Sequence, residues 1–139
     1  MSRLQFRRDG VGYKTIADGI EIPVEIVFSG EPLKISAILD TGAEYCMFGR
    51  KIAESFGIAV ESGMPLRLRT LTGTLTAYGH EVTLRTFGLE WSAVVYFHDQ
   101  IGRANPNFLG RTGWLDRVKL GLVHYDQQIF IESYDELTH

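Results

Sequence analysis

The stretch Ile38-Leu39-Asp40-Thr41-Gly42-Ala43 decides the fold prediction, and it occurs once in the chain. An acidic residue ends an apolar run and is followed at once by a hydroxyl and a glycine. The apolar residues before it, which include Ile35 and Ala37, distinguish it from an ordinary Asp-x-Gly turn with polar flanks. Such a stretch can hold a carboxylate at the floor of a cleft. If the carboxylate acts as one of a pair, its partner must come from a second copy of the chain.

The overall composition is that of an ordinary globular protein. The chain has 139 residues, which is enough for one domain with its own core. With 22% charged residues and a net charge of -3, it has no basic surface for nucleic acid, so we expect no nucleic-acid partner. No apolar run has the length of a signal peptide or a transmembrane helix. We therefore expect a cytoplasmic protein without a membrane partner.

The cysteine and histidine pattern gives no indication of a metal site. Cys46 is the only cysteine, which excludes an intramolecular disulfide and favours a small buried thiol. The four histidines are scattered without the spacing of metal ligands. We expect no metal and no cofactor.

Alternating apolar residues predict a mostly β chain. Pro23 lies inside the first strand pattern and indicates an edge or a bulge. Residues 49–56 have helical spacing and end at Gly57, and residues 112–118 predict a brief second helix with Thr112 as its N-cap. The predicted β elements are a hairpin over about 20–39, a hairpin with its tip near Gly73, a strand over 89–97 and a terminal hairpin over 119–132.

The chemistry expected of Asp40 depends on pairing. Two carboxylates held close together cannot both ionise easily, so they share one proton over a wide pH range. The ionised member can deprotonate a water molecule while the protonated member donates to a carbonyl oxygen. The neighbours suit this task, because the Thr41 hydroxyl can lock the loop and Gly42 permits a tight turn.

Three features in order carry a family resemblance. Asp40-Thr41-Gly42-Ala43 is followed by a glycine-bearing hairpin tip at 71–75, and then by Phe108-Leu109-Gly110 before a predicted short helix. With this order the chain resembles the retropepsin-like aspartic proteases, the single-domain, homodimeric branch of the aspartic peptidases. The resemblance covers about residues 20–132. It implies an all-β fold, a retropepsin-like closed β-barrel with one acid-protease lobe per chain and one or two short helices, in a single domain over 1–139.

The resemblance also implies a function and roles for named residues. The chain would be an aspartic endopeptidase in which Asp40 of each protomer of a homodimer forms the catalytic pair. Thr41 would donate a hydrogen bond across the two-fold axis, and Gly42 would support the loop. Contact with a peptide or protein substrate is expected from Ala43 and from a flap formed by Leu71, Thr72, Gly73 and Thr74.

A brace behind the catalytic loop is implied as well. In viral members of the family an acidic residue after Asp-Thr-Gly-Ala pairs with an arginine, and Glu44 and Arg111 occupy these two positions. We hypothesise a salt bridge between them, with Phe108, Leu109 and Gly110 packed behind the loop. Viral members interleave their termini in the dimer, whereas this chain ends in a longer predicted hairpin, which is a candidate for its interface.

Two other interpretations remain open. A dimeric module of the same fold would bind peptides or a partner protein without cleaving them, although such a module has no need to keep the acid of Asp40. An unrelated β-barrel would contain Asp-Thr-Gly only as a turn and would have no need to dimerise.

Overall fold

Strands dominate the structure, a computed structural model that describes residues 3–17, 19–70, 73–99 and 107–134. Leu71 and Thr72 of the predicted flap lie outside the described residues. The one α-helix in the described part is α1 (Arg50–Ser55). The strands are β1 (Val11–Gly12), β2 (Lys14–Ile16), β3 (Gly19–Phe28), β4 (Glu31–Leu39), β5 (Met47–Gly49), β6 (Met64–Thr70), β7 (Gly73–Thr86), β8 (Leu89–His98), β9 (Phe108–Leu109), β10 (Val118–Val123) and β11 (Gln128–Ser133).

These strands form two sheets. The larger has the order β2-β3-β4-β9-β5-β8-β7-β6, and β3 also pairs with β7, so the sheet curls back on itself. The smaller has the order β1-β11-β10. The prediction of an all-β fold with little helix is confirmed, while closure of the barrel stays a prediction. No helix in the described ranges is both long enough and apolar enough to cross a membrane.

The β3–β4 hairpin carries the chain to Asp40. Its register pairs Phe28 with Glu31, so the turn has only two residues, Ser29 and Gly30. Both have positive φ angles, 51° and 80°, which gives the turn a twist that matches the flanking strands. The predicted hairpin over 20–39 is therefore confirmed.

Pro23 lies inside the sheet, at a point where β3 changes neighbours. On one edge β3 pairs with β2 through residues 19–21 and with β7 through residues 25–27, and Pro23 falls between the two ladders. Proline has no N–H to donate, so this gap is the position in β3 that tolerates it. The predicted edge or bulge at Pro23 is corrected to an interior strand whose neighbour changes from β2 to β7 at this point.

Helix α1 packs through its apolar side, as predicted. Ala53 is buried, with Ile52 and Phe56 partly buried against the core. Gly57 ends the helix with a φ of 75° and donates its N–H to the carbonyl of Glu54.

The core lies against the large sheet and includes the short segment after β9. Ile22, Val24 and Ile26 alternate along β3 and are all buried. The largest side chains without exposure are aromatic: Trp114, Phe48 and Phe97. Cys46 is also fully buried, which confirms the prediction of a structural thiol.

The small terminal sheet is tied to the first residues of the chain. Glu132 is 2% exposed, and its carboxylate accepts hydrogen bonds from the backbone N–H groups of Arg7 and Arg8. Lys119 Nζ lies 3.1 Å from the same carboxylate and also donates to the carbonyl of Gln5. This buried ion pair therefore fixes the N-terminal segment on the β10–β11 hairpin. The predicted terminal hairpin over 119–132 is confirmed.

Candidate active site

Asp40 follows directly after β4, where two apolar strands run side by side. Strand β4 pairs in parallel with β9, and Leu39 lies opposite Leu109. The backbone N–H of Asp40 donates to the carbonyl of Leu109 at 2.9 Å, which continues this ladder by one bond. The apolar run before the acid therefore fixes the Asp40 backbone to the interior of the sheet.

The Asp40 loop, residues 40–43, is closed by groups of Asp40 itself. Oδ1 of Asp40 accepts the N–H of Gly42 at 2.9 Å, and the Asp40 carbonyl accepts the N–H of Ala43 at 3.2 Å. Asp40 is half-buried, whereas Thr41 and Gly42 are exposed. One chain thus holds the carboxylate in a defined turn at its surface, with one side of the loop uncovered.

Backbone hydrogen bonds brace the loop from behind. The N–H of Arg111 donates to the carbonyl of Ala43 at 2.9 Å, and the N–H of Thr112 donates to the carbonyl of Glu44 at 2.7 Å. Gly110 lies so close that a Cβ atom on it would be 2.4 Å from the carbonyl oxygen of Tyr45. Gly110 therefore packs against the backbone of Ala43 and Tyr45 and has no room for a Cβ atom. The role of Phe108-Leu109-Gly110 as a brace stays a prediction.

The hypothesised salt bridge between Glu44 and Arg111 is wrong for the described chain. Arg111 instead directs its Nε to the carbonyl of Ala43 at 3.3 Å. Glu44 lies beside Tyr45, and the charge of Glu44 is the main cause that raises the pKa of the Tyr45 phenol, with burial and Tyr96 adding to it. The Arg111 side chain is therefore bonded to the backbone of the Asp40 loop, and Glu44 interacts with the phenol of its neighbour Tyr45.

The predicted helix over 112–118 is also corrected. Only Leu115–Arg117 forms a single 3-10 turn, and the residue before it is Trp114, which makes no side-chain cap. Thr112 does not act as an N-cap, because it forms a bridge with Tyr45. Asp116 accepts the N–H of Gly113 at 3.0 Å in place of a threonine cap.

A second hairpin stands near the predicted flap position. Strand β7 pairs with β8 only as far as Ala77, whereas its pairing with β6 continues to Gly73. Residues 67–70 and 73–76 therefore form a two-stranded ribbon that extends past the end of the β7–β8 ladder. Gly73 and Thr74 lie on this ribbon, and Gly73 has a φ of 142°, a conformation that favours glycine.

The base of the ribbon is packed tightly. Nε2 of His80 lies 2.8 Å from the carbonyl of Val60, and a Cβ atom on Gly63 would be 2.4 Å from the carbonyl oxygen of Gly79. The ribbon thus has a tightly packed base, and its described residues beyond that base, 67–70 and 73–76, pair with no third strand. The flap stays a prediction.

Asn107 is a structural residue of the site that the sequence interpretation missed. Its Oδ1 accepts the N–H of Gly49 at 3.0 Å, and its Nδ2 donates to the carbonyl of Ser36 at 3.2 Å. The N–H of Ile38 donates to the Asn107 carbonyl at 3.0 Å. Asn107 therefore ties β4, β5 and β9 together just before Asp40. Its place at the end of a polar loop gave no pattern that could reveal this role.

The thiol nearest the site has no catalytic geometry. Burial raises the pKa of Cys46 to about 11, and its Sγ donates weakly to the carbonyl of Thr112 at 3.6 Å. Among the described residues, no group of three or more His, Cys, Asp or Glu side chains could hold a metal ion.

The profile of the family described as aspartyl protease matches residues 22–97, which include the Asp40 loop and the β6–β7 hairpin. This chain belongs to the aspartyl protease family. No curated protein matches it in sequence.

Solved structures give the fold of this aspartyl protease family member. A retropepsin-like aspartic protease from Rickettsia conorii has a TM-score of 0.63 at 18% identity, covering 91% of this chain and 100% of that chain. The EIAV protease complexed with an inhibitor has a TM-score of 0.49 at 19% identity, covering 66% of this chain and 80% of that chain. The first comparison confirms the retropepsin-like fold.

Proposed function

We propose that the chain is an aspartic endopeptidase whose active site is completed in a homodimer by Asp40 of each protomer. The observation that carries the proposal is the placement of Asp40. The acid of the single Asp-Thr-Gly stretch is fixed to the sheet by its N–H bond to Leu109, yet stands in a turn whose next two residues are exposed. A rigid, half-buried carboxylate beside an uncovered surface suits a site that a second copy completes.

The chemistry follows from two carboxylates held close together. They share one proton, because ionising both costs too much free energy at short distance. The ionised Asp40 removes a proton from water, whose oxygen attacks the carbonyl carbon of the peptide bond, while the protonated Asp40 donates to the carbonyl oxygen. The tetrahedral intermediate then breaks its C–N bond as the amide nitrogen receives a proton from one carboxyl group, while a hydroxyl of the intermediate returns its proton to the other carboxylate and the C=O bond re-forms. The pair thus ends with the one shared proton it began with. Water and two carboxylates are sufficient for this proposed reaction.

We propose that the substrate is an extended peptide held between the Asp40 loop and the ribbon. Strand backbones recognise extended peptides through main-chain hydrogen bonds, which makes binding tolerant of sequence. The ribbon that bears Gly73 and Thr74 supplies such a backbone, and Ala43 keeps the wall of the loop small. Thr41 is exposed beside Asp40, where its hydroxyl can reach the loop of the partner subunit.

The test is cleavage of an unfolded protein from acid to neutral pH by the parent chain and by Asp40→Asn. The amide keeps the shape of the side chain but cannot act as a base, so we expect the rate to fall by about a thousandfold. Asp9→Asn is the matched control, since Asp9 is exposed in the N-terminal segment, and it should retain the parent rate.

Cleavage by Asp40→Asn at the parent rate would refute the catalytic role. A parent chain that binds peptides with no cleavage at any pH would instead support the non-catalytic module of the same fold.

A further inference from the structure

Strand β10 has one open edge. In the small sheet β11 lies between β1 and β10, and within the described ranges β10 pairs with no strand other than β11. Its sequence is Val118-Lys119-Leu120-Gly121-Leu122-Val123. An edge strand presents unpaired N–H and C=O groups and so offers a template for another strand.

The register identifies the backbone groups that face this open edge. Tyr13 donates its N–H to the carbonyl of Gln127, and this bond continues the β1–β11 ladder in which Val11 lies opposite Ile129. Because backbone groups alternate in direction along a strand, Gln128, Phe130 and Glu132 direct theirs toward β10. Their partners on β10 are Val123, Gly121 and Lys119. The N–H and C=O groups of Leu120 and Leu122 therefore point outward.

This edge lacks the protection that isolated edges usually have. Lysines, prolines and bulges normally discourage edge pairing. The one charged residue of β10, Lys119, is only 17% exposed at its side chain, because it is paired with Glu132. Leu122 is 40% exposed and Val123 is 42% exposed. An exposed apolar edge of this kind is a template for pairing with another strand.

We propose that β10 pairs antiparallel with β10 of a second copy, with Gly121 on the two-fold axis. This proposal rests on the proposed function, which needs a dimer. In this register the backbone N–H and C=O groups of Leu120 bond to those of the partner's Leu122. The two-fold axis repeats these two hydrogen bonds between Leu122 and the partner's Leu120. The two Gly121 residues then meet as a non-hydrogen-bonded pair, the type in which Cα atoms approach most closely, about 4.5 Å. The space that a Cβ atom of Gly121 would occupy is taken by the Phe6 ring of the same chain, 2.9 Å away, so the glycine itself is explained by that contact and the register rests on the direction of the backbone groups.

Continuity with the Asp40 loop supports this interface. Strand β10 begins directly after the 3-10 turn Leu115–Arg117, and that turn is held by the N–H of Leu115 bonded to the carbonyl of Gly110. Arg111, which follows Gly110 in the chain, donates its N–H to the carbonyl of Ala43 in the Asp40 loop. An axis beside β10 therefore relates two rigid units, each carrying one Asp40. The resulting continuous sheet, β1-β11-β10 followed by its symmetry copy, differs from an interleaving of chain termini.

Amide hydrogen exchange of the unmodified protein tests the interface directly. We expect exchange at Leu120 and Leu122 to slow by about tenfold or more as the protein concentration passes through the dimerisation range. Gly121 and Val123, which bond to β11, serve as internal controls, because they should be protected at all concentrations. Free exchange at Leu120 and Leu122 in a sample whose mass is that of a dimer would overturn the proposal.

A matched pair of substitutions provides the second test. In the proposed register Val123→Lys places the new lysine opposite the partner's Lys119, and the two-fold axis repeats this like-charge pair. We expect the dissociation constant of the dimer to rise by about a hundredfold. Val94→Lys makes the same change on β8, where Val94 is 47% exposed, and should leave the constant unchanged. Mass in solution and cleavage rate are measured together with the circular dichroism spectrum.

The outcomes separate this proposal from the proposed function. A folded, monomeric and inactive Val123→Lys supports both. A Val123→Lys protein that remains a fully active dimer overturns the β10 interface and leaves the catalytic pair intact. A parent chain that cleaves as a strict monomer overturns both.

Discussion

Replacing Gly110 by alanine tests the brace behind the Asp40 loop with a single carbon atom. The new Cβ would lie 2.4 Å from the carbonyl oxygen of Tyr45, 2.7 Å from its carbonyl carbon and 2.8 Å from the carbonyl oxygen of Ala43. All three neighbours are backbone atoms, so no side-chain rotation relieves the contact. The loop and Gly110 must separate by roughly 0.6 Å or more to restore a tolerable distance.

The cost has two parts. Forcing a carbon into a packed region costs about 1–3 kcal/mol. The separation also lengthens the bonds from Arg111 to Ala43 and from Thr112 to Glu44, each of which contributes about 1 kcal/mol. We expect a total loss of about 3 kcal/mol or more, which lowers the urea midpoint by about 2 M for a chain of this size. A loop displaced by this distance should also reduce the cleavage rate by about a hundredfold.

The assay is urea unfolding followed by circular dichroism, with the cleavage rate measured in parallel. Gly12→Ala is the control, because a Cβ there would meet only the end of the Gln128 side chain, at 3.8 Å. The control should change the free energy of unfolding by no more than about 0.5 kcal/mol. If Gly110→Ala unfolded at the parent urea concentration and cleaved at the parent rate, the steric reasoning would be refuted.

Three further predictions concern side chains around this frame. Asn107→Asp keeps the acceptor for Gly49 but loses the donor to Ser36, so the free energy of unfolding should fall by about 1–3 kcal/mol, and an unchanged urea midpoint would contradict the proposed tie. The hydrogen bond from the Arg8 backbone, followed by its paired ammonium group, lowers the pKa of Glu132 below its ordinary value of 4.5. The ionised Glu132 carboxylate therefore stabilises the fold fully above pH 4.5, and this stabilisation is lost as the pH falls through the lowered pKa of the folded state. Glu132→Gln should therefore lower the free energy of unfolding at neutral pH and lower it less in acid. Thermal unfolding of the parent and of Glu132→Gln across this pH range checks the direction of the effect. Because burial raises the pKa of Cys46 to about 11, its alkylation by iodoacetamide at pH 8 should become fast only in urea, and rapid labelling of the folded chain would contradict its burial.

Local sequence patterns were sufficient for the elements with strong periodicity. The alternating apolar residues around Pro23 predicted β3, and Gly57 predicted the end of α1, because each prediction depends on residues close in sequence. The apolar run that ends at Asp40 likewise predicted an acid anchored on a strand. The order of motifs along the chain then indicated the family, which the profile match confirmed.

The parts that sequence could not supply depend on contacts between distant segments. The hydrogen bonds from Arg111 and Thr112 to the loop are made by backbone groups, which carry no sequence signal. Asn107 joins three strands through one side chain, yet its neighbours in sequence are those of an ordinary loop. The predicted helix over 112–118 was wrong for the same reason, since the N–H of Thr112 donates to the carbonyl of Glu44 and Thr112 bridges Tyr45, both distant in sequence.

The two tryptophans illustrate the same division. The ring centroids of Trp91 and Trp114 lie 6.5 Å apart, and Trp114 is fully buried. Hydrophobic size predicted burial, but not that Trp91 would donate its indole N–H to the carbonyl of Gly113 at 2.8 Å. That bond ties β8 to the segment behind the loop.

The most direct test of a catalytic pair formed by two copies of Asp40 is a mixing experiment. Parent and Asp40→Asn chains are unfolded together in varying proportions, refolded, and assayed at constant total concentration. If both carboxylates are required, activity follows the square of the parent fraction, so an equal mixture retains about a quarter of the parent rate. Activity proportional to the parent fraction, with about half remaining in the equal mixture, would show that one Asp40 suffices and would contradict the account.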